Sequence, residues 1–301
     1  MNKKITGKYI EKIVNLSLTK GYYGNKLSLV DDFSNNSEID LITFIDDKKY
    51  LKNVLNNNRI RSIFTTYEIW NELMDTNIQP IICDDPRFYF YSLYNYIANS
   101  NYKKTRSIIA GTAKIHPMAL ISEFNVVIGR NVEIGPNVTI LPDVEVGENS
   151  VILAGAILGC KGFELKRTKK GILSVTHDGK LIIGNDVQIG YNTTIYKGFF
   201  NNNTIIGDST KIDNLVYIAH GVKIGKECFI VGNSMISGST ELGDRVWVGP
   251  GAIISNKLKI GNDSFISIGS VVTQDVMTNQ RVTGNFAIEH KKFVDSLKRK
   301  L

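Results

Sequence analysis

IGDSTKIDNLVYIAHGVKIGKECFIVGNSMISGSTELGDRVWVGPGAIISNKLKIGNDSFISIGSVV, residues 206–272, carries an aliphatic residue at every sixth position. The series runs Ile206, Ile212, Ile218, Ile224, Ile230, Ile236, Leu242, Val248, Ile254, Ile260, Ile266, Val272 without a slip. An earlier series gives Ile128, Ile134, Ile140, Val146, Ile152 and Leu158, and a short one between them gives Ile183, Ile189 and Ile195. Ile115 and Ile121 open the pattern one residue out of phase. A period of six matches neither an α-helix nor a plain strand. It matches a chain that makes a short strand, turns a corner and repeats, as solenoids do. Three hexads close one triangular coil, with the aliphatic residues stacked inside. The hexads make about seven to eight coils, a prism of roughly 35 Å at the spacing of paired strands. The residue after the aliphatic one is small or turn-prone in most units: Gly129, Gly135, Gly184, Gly190, Gly207, Asp213, Ala219, Gly225, Ser237, Gly243, Gly249 and Gly261. Glycine there is expected to supply the backbone angles of a corner.

Two stretches break the period. Residues 159–181, rich in Lys and Arg, form an inserted loop, and YKGFFNNN at 196–203 makes a smaller excursion. Insertions in solenoids gather on one face, often the binding face. Residues 1–105 carry no hexad and are rich in Asn, Lys and Tyr. There SIFTTYEIW and IQPIICDD read as strands, and PRFYFYSLYNYIANS reads as a helix begun by proline. Together these segments predict a small α/β domain. At the other end, FAIEHKKFVDSLKRKL places Phe286, Ile288, Phe293, Val294 and Leu297 on one helical face with a basic opposite side. The expected organisation is therefore 1–105, 106–283 and 284–301.

Of the 301 residues 43% are hydrophobic, which suits a globular chain of two structural units. No stretch reaches the length of a membrane span and the N-terminus lacks a signal-peptide core, so a cytoplasmic location is expected. Cys83, Cys160 and Cys228 are odd in number and far apart, which reads as reduced thiols. The net charge of +7 points to an acidic partner or a phosphate-rich substrate. Nucleic acid is disfavoured, because no recognised binding motif or basic-aromatic cluster is present.

With the repeat in place, IGYNTTIYKGFFNNNTIIGDSTKIDNLVYIAHGVKIG followed by ISGSTELGD resembles UDP-3-O-acylglucosamine N-acyltransferase. The family's stretch runs roughly TTIDRG, KIDN, IAHN and AGST. DLITFIDDKKY and IICDDPRFYF resemble its nucleotide-binding domain, and GNFAIEHKKF resembles its end, so the similarity covers essentially the whole chain in the same order. The fold class it implies is mainly β: a left-handed parallel β-helix with a small N-terminal α/β domain and a C-terminal helix. The activity it implies is transfer of an acyl group from a thioester, on acyl carrier protein or coenzyme A, to the amine of a nucleotide-linked sugar. The resemblance implies a homotrimer with active sites between prisms, no permanently bound cofactor and no metal.

The resemblance makes His220, the histidine of IAH, the catalytic base. An imidazole suits the removal of a proton from an attacking amine. Asp213 of KIDN is expected to orient it, with Asn214 beside it. Gly238, one coil above His220, is expected to offer its backbone N–H to the oxyanion. Phe44 and Tyr50 match the aromatic pair that holds the uracil base, with Asp47 where the family has Asn. Phe163 matches part of a Gly-Phe-Gly-Phe segment near the acyl chain. Lys257 stands where the family has a second histidine, two coils along the cleft from His220. Departures gather around the acceptor sugar and the acyl chain: Tyr196 and Lys197 replace Asp and Arg, Gly221 replaces Asn, and Glu164 and Leu165 replace a Gly-Phe pair. They keep open a second reading, an acyl-CoA-dependent enzyme acting on a dTDP- or UDP-linked amino-dideoxy sugar. A non-catalytic scaffold leaves the matched His220, Asp213 and Gly238 unexplained. A zinc hydratase needs several histidines, and the run 206–272 contains only His220.

Overall fold

The residues that recur at six form the interior of a parallel β-helix. A computed structural model describes residues 27–29, 40–200, 202–284, 287 and 289–298. Short strands build three parallel sheets of eight, eight and nine strands, and successive strands of the chain fall in successive sheets. Each strand pairs in register with the one a coil further on: Lys211 with Phe229, Phe229 with Trp247, Trp247 with Phe265. All twelve aliphatic residues from Ile206 to Val272 are buried. Full burial of one such side chain contributes about 1.5–3 kcal/mol, and the solenoid repeats that gain at every hexad. A second interior position lies four residues after the aliphatic one. Thr210, Val216, Val222, Cys228, Ser234, Thr240 and Val246 fill it, all buried. Their hydroxyls satisfy corner carbonyls, as Thr210 Oγ1 donates to the Gly225 oxygen at 2.9 Å and Thr240 Oγ1 to that of Ser255 at 2.8 Å.

The corners correct one expectation. The glycine that follows the aliphatic residue does not take left-handed angles. Those fall two residues later, at Asn131, Asn137, Asn149, Asn192, Leu215 and Asn233, with φ between 53° and 58°, and at the equivalent residues of other coils. Asn tolerates that region better than most side chains, which accounts for its frequency there. The glycines are needed for close approach instead. A Cβ on Gly190 would stand 2.4 Å from the Asp213 carbonyl carbon, and one on Gly207 2.5 Å from that of Gly225.

The two breaks of period are visible in the pairing. Leu158 pairs with Ile195, and Ile195 with Ile218, instead of partners eighteen residues on. The chain divides into two compact units, residues 1–103 with 163–178 and residues 104–162 with 179–301. The inserted segment thus groups with the N-terminal residues, where the sequence had placed it with the prism. The C-terminal helix, His290–Lys298, groups with the prism. Phe286, Ile288, Arg299 and Lys300 lie outside the described residues.

In the first unit, strands Leu27–Leu29, Asp40–Phe44, Ile60–Thr65 and Gln79–Ile82 form one parallel sheet in sequence order. Leu41, Ile45, Val54, Ile60, Ile63, Ile69 and Leu73 make its core. The strand expected over SIFTTYEIW stops at Thr65, and Tyr67–Trp70 is a helical turn. Ile69 alone of that turn is buried, so one side faces the core. The helix Pro86–Asn101 begins as its sequence suggested, with Pro at its start and the Asp85 carboxylate accepting from the Phe88 N–H at 3.1 Å. The Lys/Arg-rich insertion is an antiparallel hairpin, Leu165–Thr168 with Gly171–Ser174. It lies on the aromatic helix. Lys170 Nζ is 4.2 Å from the Tyr89 ring centre and 2.7 Å from its hydroxyl, and Lys166 Nζ is 4.7 Å from the Tyr91 ring centre. Cation–π contacts of this kind contribute about 0.5–2 kcal/mol each, so the basic residues act as a fastening.

Candidate active site

His220 stands at the corner after strand Tyr217–Ile218. Ile218 is fully buried, and two residues later the chain is already turning. The imidazole is half-buried and its Nδ1 is shut off from solvent. Gly238 holds the matching corner one coil above, fixed by the Tyr217–Met235 pairing and by the Ser239 N–H donating to the His220 carbonyl at 2.9 Å. A Cβ on Gly238 would stand 2.6 Å from His220 Cε1 and 2.9 Å from Nε2. Only glycine lets the backbone come this close to the ring. Among the described residues the Gly238 N–H has no hydrogen-bond acceptor, whereas the corner N–H of Gly232 is taken by a carboxylate. A histidine therefore lies against an unclaimed backbone donor. Together they can move a proton and stabilise a developing anion.

The carboxylate on Gly232 belongs to Asp213, at 3.1 Å. Asp213 is exposed, at the preceding corner of the coil that holds His220. Its described hydrogen bond is thus to a turn, not to the imidazole it was expected to orient. Asn214 caps a neighbouring turn, its Oδ1 accepting from the Tyr191 N–H at 2.8 Å. Lys257 is exposed and tops a column of left-handed corner residues, Gly221, Ser239 and Lys257 (φ 67°, 57° and 61°). Its N–H donates to the Gly238 carbonyl at 3.0 Å, which confirms its place one coil above Gly238. The same column explains Gly221 in place of Asn: both residues accept left-handed angles.

The remaining sequence-derived residues lie in the first unit. Phe44 packs at 5.0 Å from Phe90 and 5.5 Å from Tyr91, ring centre to ring centre. It lines a cleft of about 390 Å³ with Arg87, Tyr91, Leu165, Lys166 and Arg167. Arg87 is aimed by Asp46, Nε to Oδ2 at 2.8 Å. Asp47 caps the short helical turn Lys48–Tyr50, accepting from the Lys49 N–H at 3.0 Å. That bond, with the Lys49 ammonium, holds its carboxyl below the usual range. Tyr50 is exposed with Lys49 Nζ 4.9 Å from its ring centre. Phe163 is 82% exposed at the start of the inserted segment. The residue that the sequence reading passed over is Phe199, whose ring meets the His220 imidazole edge-on at 4.8 Å and 80°. Its one signal was the Phe-Phe pair inside the smaller excursion.

A solenoid of hexads with a histidine and a bare glycine amide at adjacent corners belongs to the hexapeptide-repeat class. Residues 125–160 and 203–238 match the bacterial transferase hexapeptide family (six repeats), and residues 221–256 match the hexapeptide repeat of succinyl-transferase. A solved UDP-N-acetylglucosamine acyltransferase from Campylobacter jejuni superposes with a TM-score of 0.52 at 25% identity, over 64% of this chain and 80% of that one, in keeping with a left-handed β-helix. The UDP-3-O-acylglucosamine N-acyltransferase of Helicobacter hepaticus is 30% identical over 265 residues, 73% of this chain and 75% of the relative. The enzyme of that name from Coxiella burnetii is 31% identical over 228 residues, 66% of this chain. The chain spans 65% of that relative's length. The chain belongs to the UDP-3-O-acylglucosamine N-acyltransferase family.

Proposed function

We propose that the protein is an N-acyltransferase that moves an acyl group from a thioester donor to the amine of a nucleotide-linked amino sugar, UDP-3-O-acylglucosamine or a close analogue, in cell-envelope glycolipid synthesis. The observation that carries this reading is the His220 imidazole lying against the corner of Gly238. The amine attacks the thioester carbonyl and gives its proton to His220. The oxyanion takes the Gly238 N–H, the C–S bond breaks as the amide forms, and the thiolate leaves with the proton. In this reading Asp213 acts through the turn that it caps, and Asn214 and Lys257 border the path of the substrates. Phe44, Tyr50 and Asp47 receive the nucleotide, whose phosphates suit the basic side of the cleft at Arg87, Lys166 and Arg167. Phe163 is offered to the acyl chain. The protein works as a homotrimer, for which the exposed apolar residues Met235, Ile253 and Val271 on one prism face are suitable contacts.

The donor is acyl carrier protein in this reading. Lys291, Lys292 and Lys298 of the C-terminal helix are exposed and suit an acidic partner. The second reading, acyl-CoA and an amino-dideoxy sugar, draws support from the succinyl-transferase repeat match at 221–256. The test is ligand-dependent thermal stability. UDP at a hundred times its dissociation constant stabilises by about 2.7 kcal/mol if it binds only the folded protein. A rise in Tm with UDP and none with dTDP, together with use of acylated carrier protein as donor, supports the first reading. The opposite preference, with efficient use of acyl-CoA and none of acylated carrier protein, replaces it with the second.

A further inference from the structure

Phe199 sits in an excursion that is built to hold it. Lys197, where the excursion begins, is buried, and its ammonium meets Asp143 Oδ2 at 2.6 Å. Asn125 Nδ2 donates to the other Asp143 oxygen at 2.9 Å. A buried ion pair adds little stability of its own, but losing one partner is expensive, so it fixes the conformation around it. Gly198 follows, and a Cβ there would stand 1.6 Å from the Asn202 carbonyl oxygen, which no other residue type could accept. The turn closes through the Asn202 N–H donating to the Phe199 carbonyl at 3.0 Å. Phe200 takes a left-handed φ of 56°, a conformation that a bulky aromatic adopts only where its surroundings impose it. The excursion returns with the Asn202 amide beside Gly221, the residue after His220: a Cβ on Gly221 would be 3.0 Å from Asn202 Nδ2.

The pairing puts this excursion directly under the histidine. Ile195 pairs with Ile218, so Lys197 is level with His220 one coil below. The ring therefore has the Phe199 edge contact on the excursion side and Gly238 on the coil above. An imidazole held between an aromatic ring and a bare backbone has few orientations open to it.

From this arrangement we infer that Phe199 is a positioning residue for His220: it holds the imidazole in the orientation that proton transfer requires and shields it from solvent. The Lys197–Asp143 pair anchors the segment that carries it. The inference rests on His220 being the base of the proposed reaction. Misplacing a reacting group by about 1 Å can lower a rate by about a hundredfold.

The test uses Phe199→Ala, Phe199→Leu and Phe199→Tyr in the full-length protein, each checked for an unchanged Tm. Phe199→Ala is expected to lower kcat by about ten- to a hundredfold with KM changed less than threefold, and Phe199→Tyr to restore kcat to within about threefold. In parallel, diethylpyrocarbonate labelling is followed peptide by peptide with mass spectrometry. His220 is expected to react at least about fivefold faster in Phe199→Ala than in the wild type, while exposed His290 reacts equally in both. Unchanged kcat together with unchanged labelling of His220 overturns the inference, as does a loss of kcat that Phe199→Leu restores as well as Phe199→Tyr. Absence of wild-type transfer with every amino-sugar acceptor and both thioester donors rejects the acyltransferase reading instead. Labelling then still reports whether Phe199 shields the ring.

Discussion

At the scale of single residues the corner of His220 makes the sharpest demands. His220→Ala is expected to fold as the wild type does and to lose acyl transfer by about 10²–10⁴, the range of general-base assistance. Steady-state kinetics with a melting curve as control would measure it, and activity within tenfold of wild type would remove His220 as the base. Gly238→Ala makes a different point. Its methyl would lie 2.6 Å from Cε1, so the ring must move or the corner must open. A loss of about tenfold or more in kcat is expected, and full activity would mean that the two corners are further apart in solution. His220 and Gly238 could be picked from motif and spacing. Phe199 could not, because its role depends on the five extra residues that the excursion adds between Ile195 and Ile218 beyond a regular coil.

The element that repeats most is the corner, and its chemistry is local. Leu215 holds a left-handed φ of 57° although its side chain is exposed. Left-handed angles cost roughly 1–2 kcal/mol for an ordinary side chain and less for Asn. Leu215→Asn should therefore raise stability by about 0.5–1 kcal/mol, read as a shift in the denaturant midpoint at unchanged slope. Loss of stability would show that Leu215 has contacts in the assembled protein that a single chain lacks. The inserted hairpin is the opposite kind of element. Its Lys-rich sequence is that of a solvated loop, and only its packing on Tyr89 and Tyr91 gives the lysines a role. Solvated and fastened lysines share one composition, so the chain's text left both outcomes open.

Across the whole molecule, burial sets the response to alkali. It pushes the Cys83 thiol up to about 12 and those of Cys160 and Cys228 up to about 11, and it raises the Tyr217 phenol, which the Tyr196 side chain raises further. In the unfolded chain these groups ionise at about 8.5 and 10. Between those values and the folded ones the native state holds more protons than the unfolded state, so stability falls as pH rises. Their contribution is complete below about pH 8 and should decline from about pH 9 toward 12, measurable as a falling Tm in scans across that range. A Tm flat to pH 11 would contradict the burial of these groups. Assembly is tested at the same scale. Met235, Ile253 and Val271 are exposed along one prism face of a single chain, more apolar surface than one face readily leaves to water. Sedimentation is expected to give a trimer at micromolar concentration, and a stable monomer would remove the proposed assembly.

The sequence by itself determined the solenoid. A period of six is a local rule restated at every coil, so a few aliphatic positions specify strand, corner and stacking with no long-range information. It also marked His220 and Gly238, because regular coils turn a separation of eighteen residues into one strand spacing. Tertiary structure decided what depends on contacts between segments that no period relates: that the glycine after the aliphatic residue serves close approach while the left-handed turn falls two residues later, that Asp213 caps Gly232 and not the imidazole, and that residues 163–178 group with the first unit. It also put Phe199 on the His220 ring. In each case the deciding quantity is a distance of a few ångströms between chains of atoms, and pattern along one dimension carries no such distance.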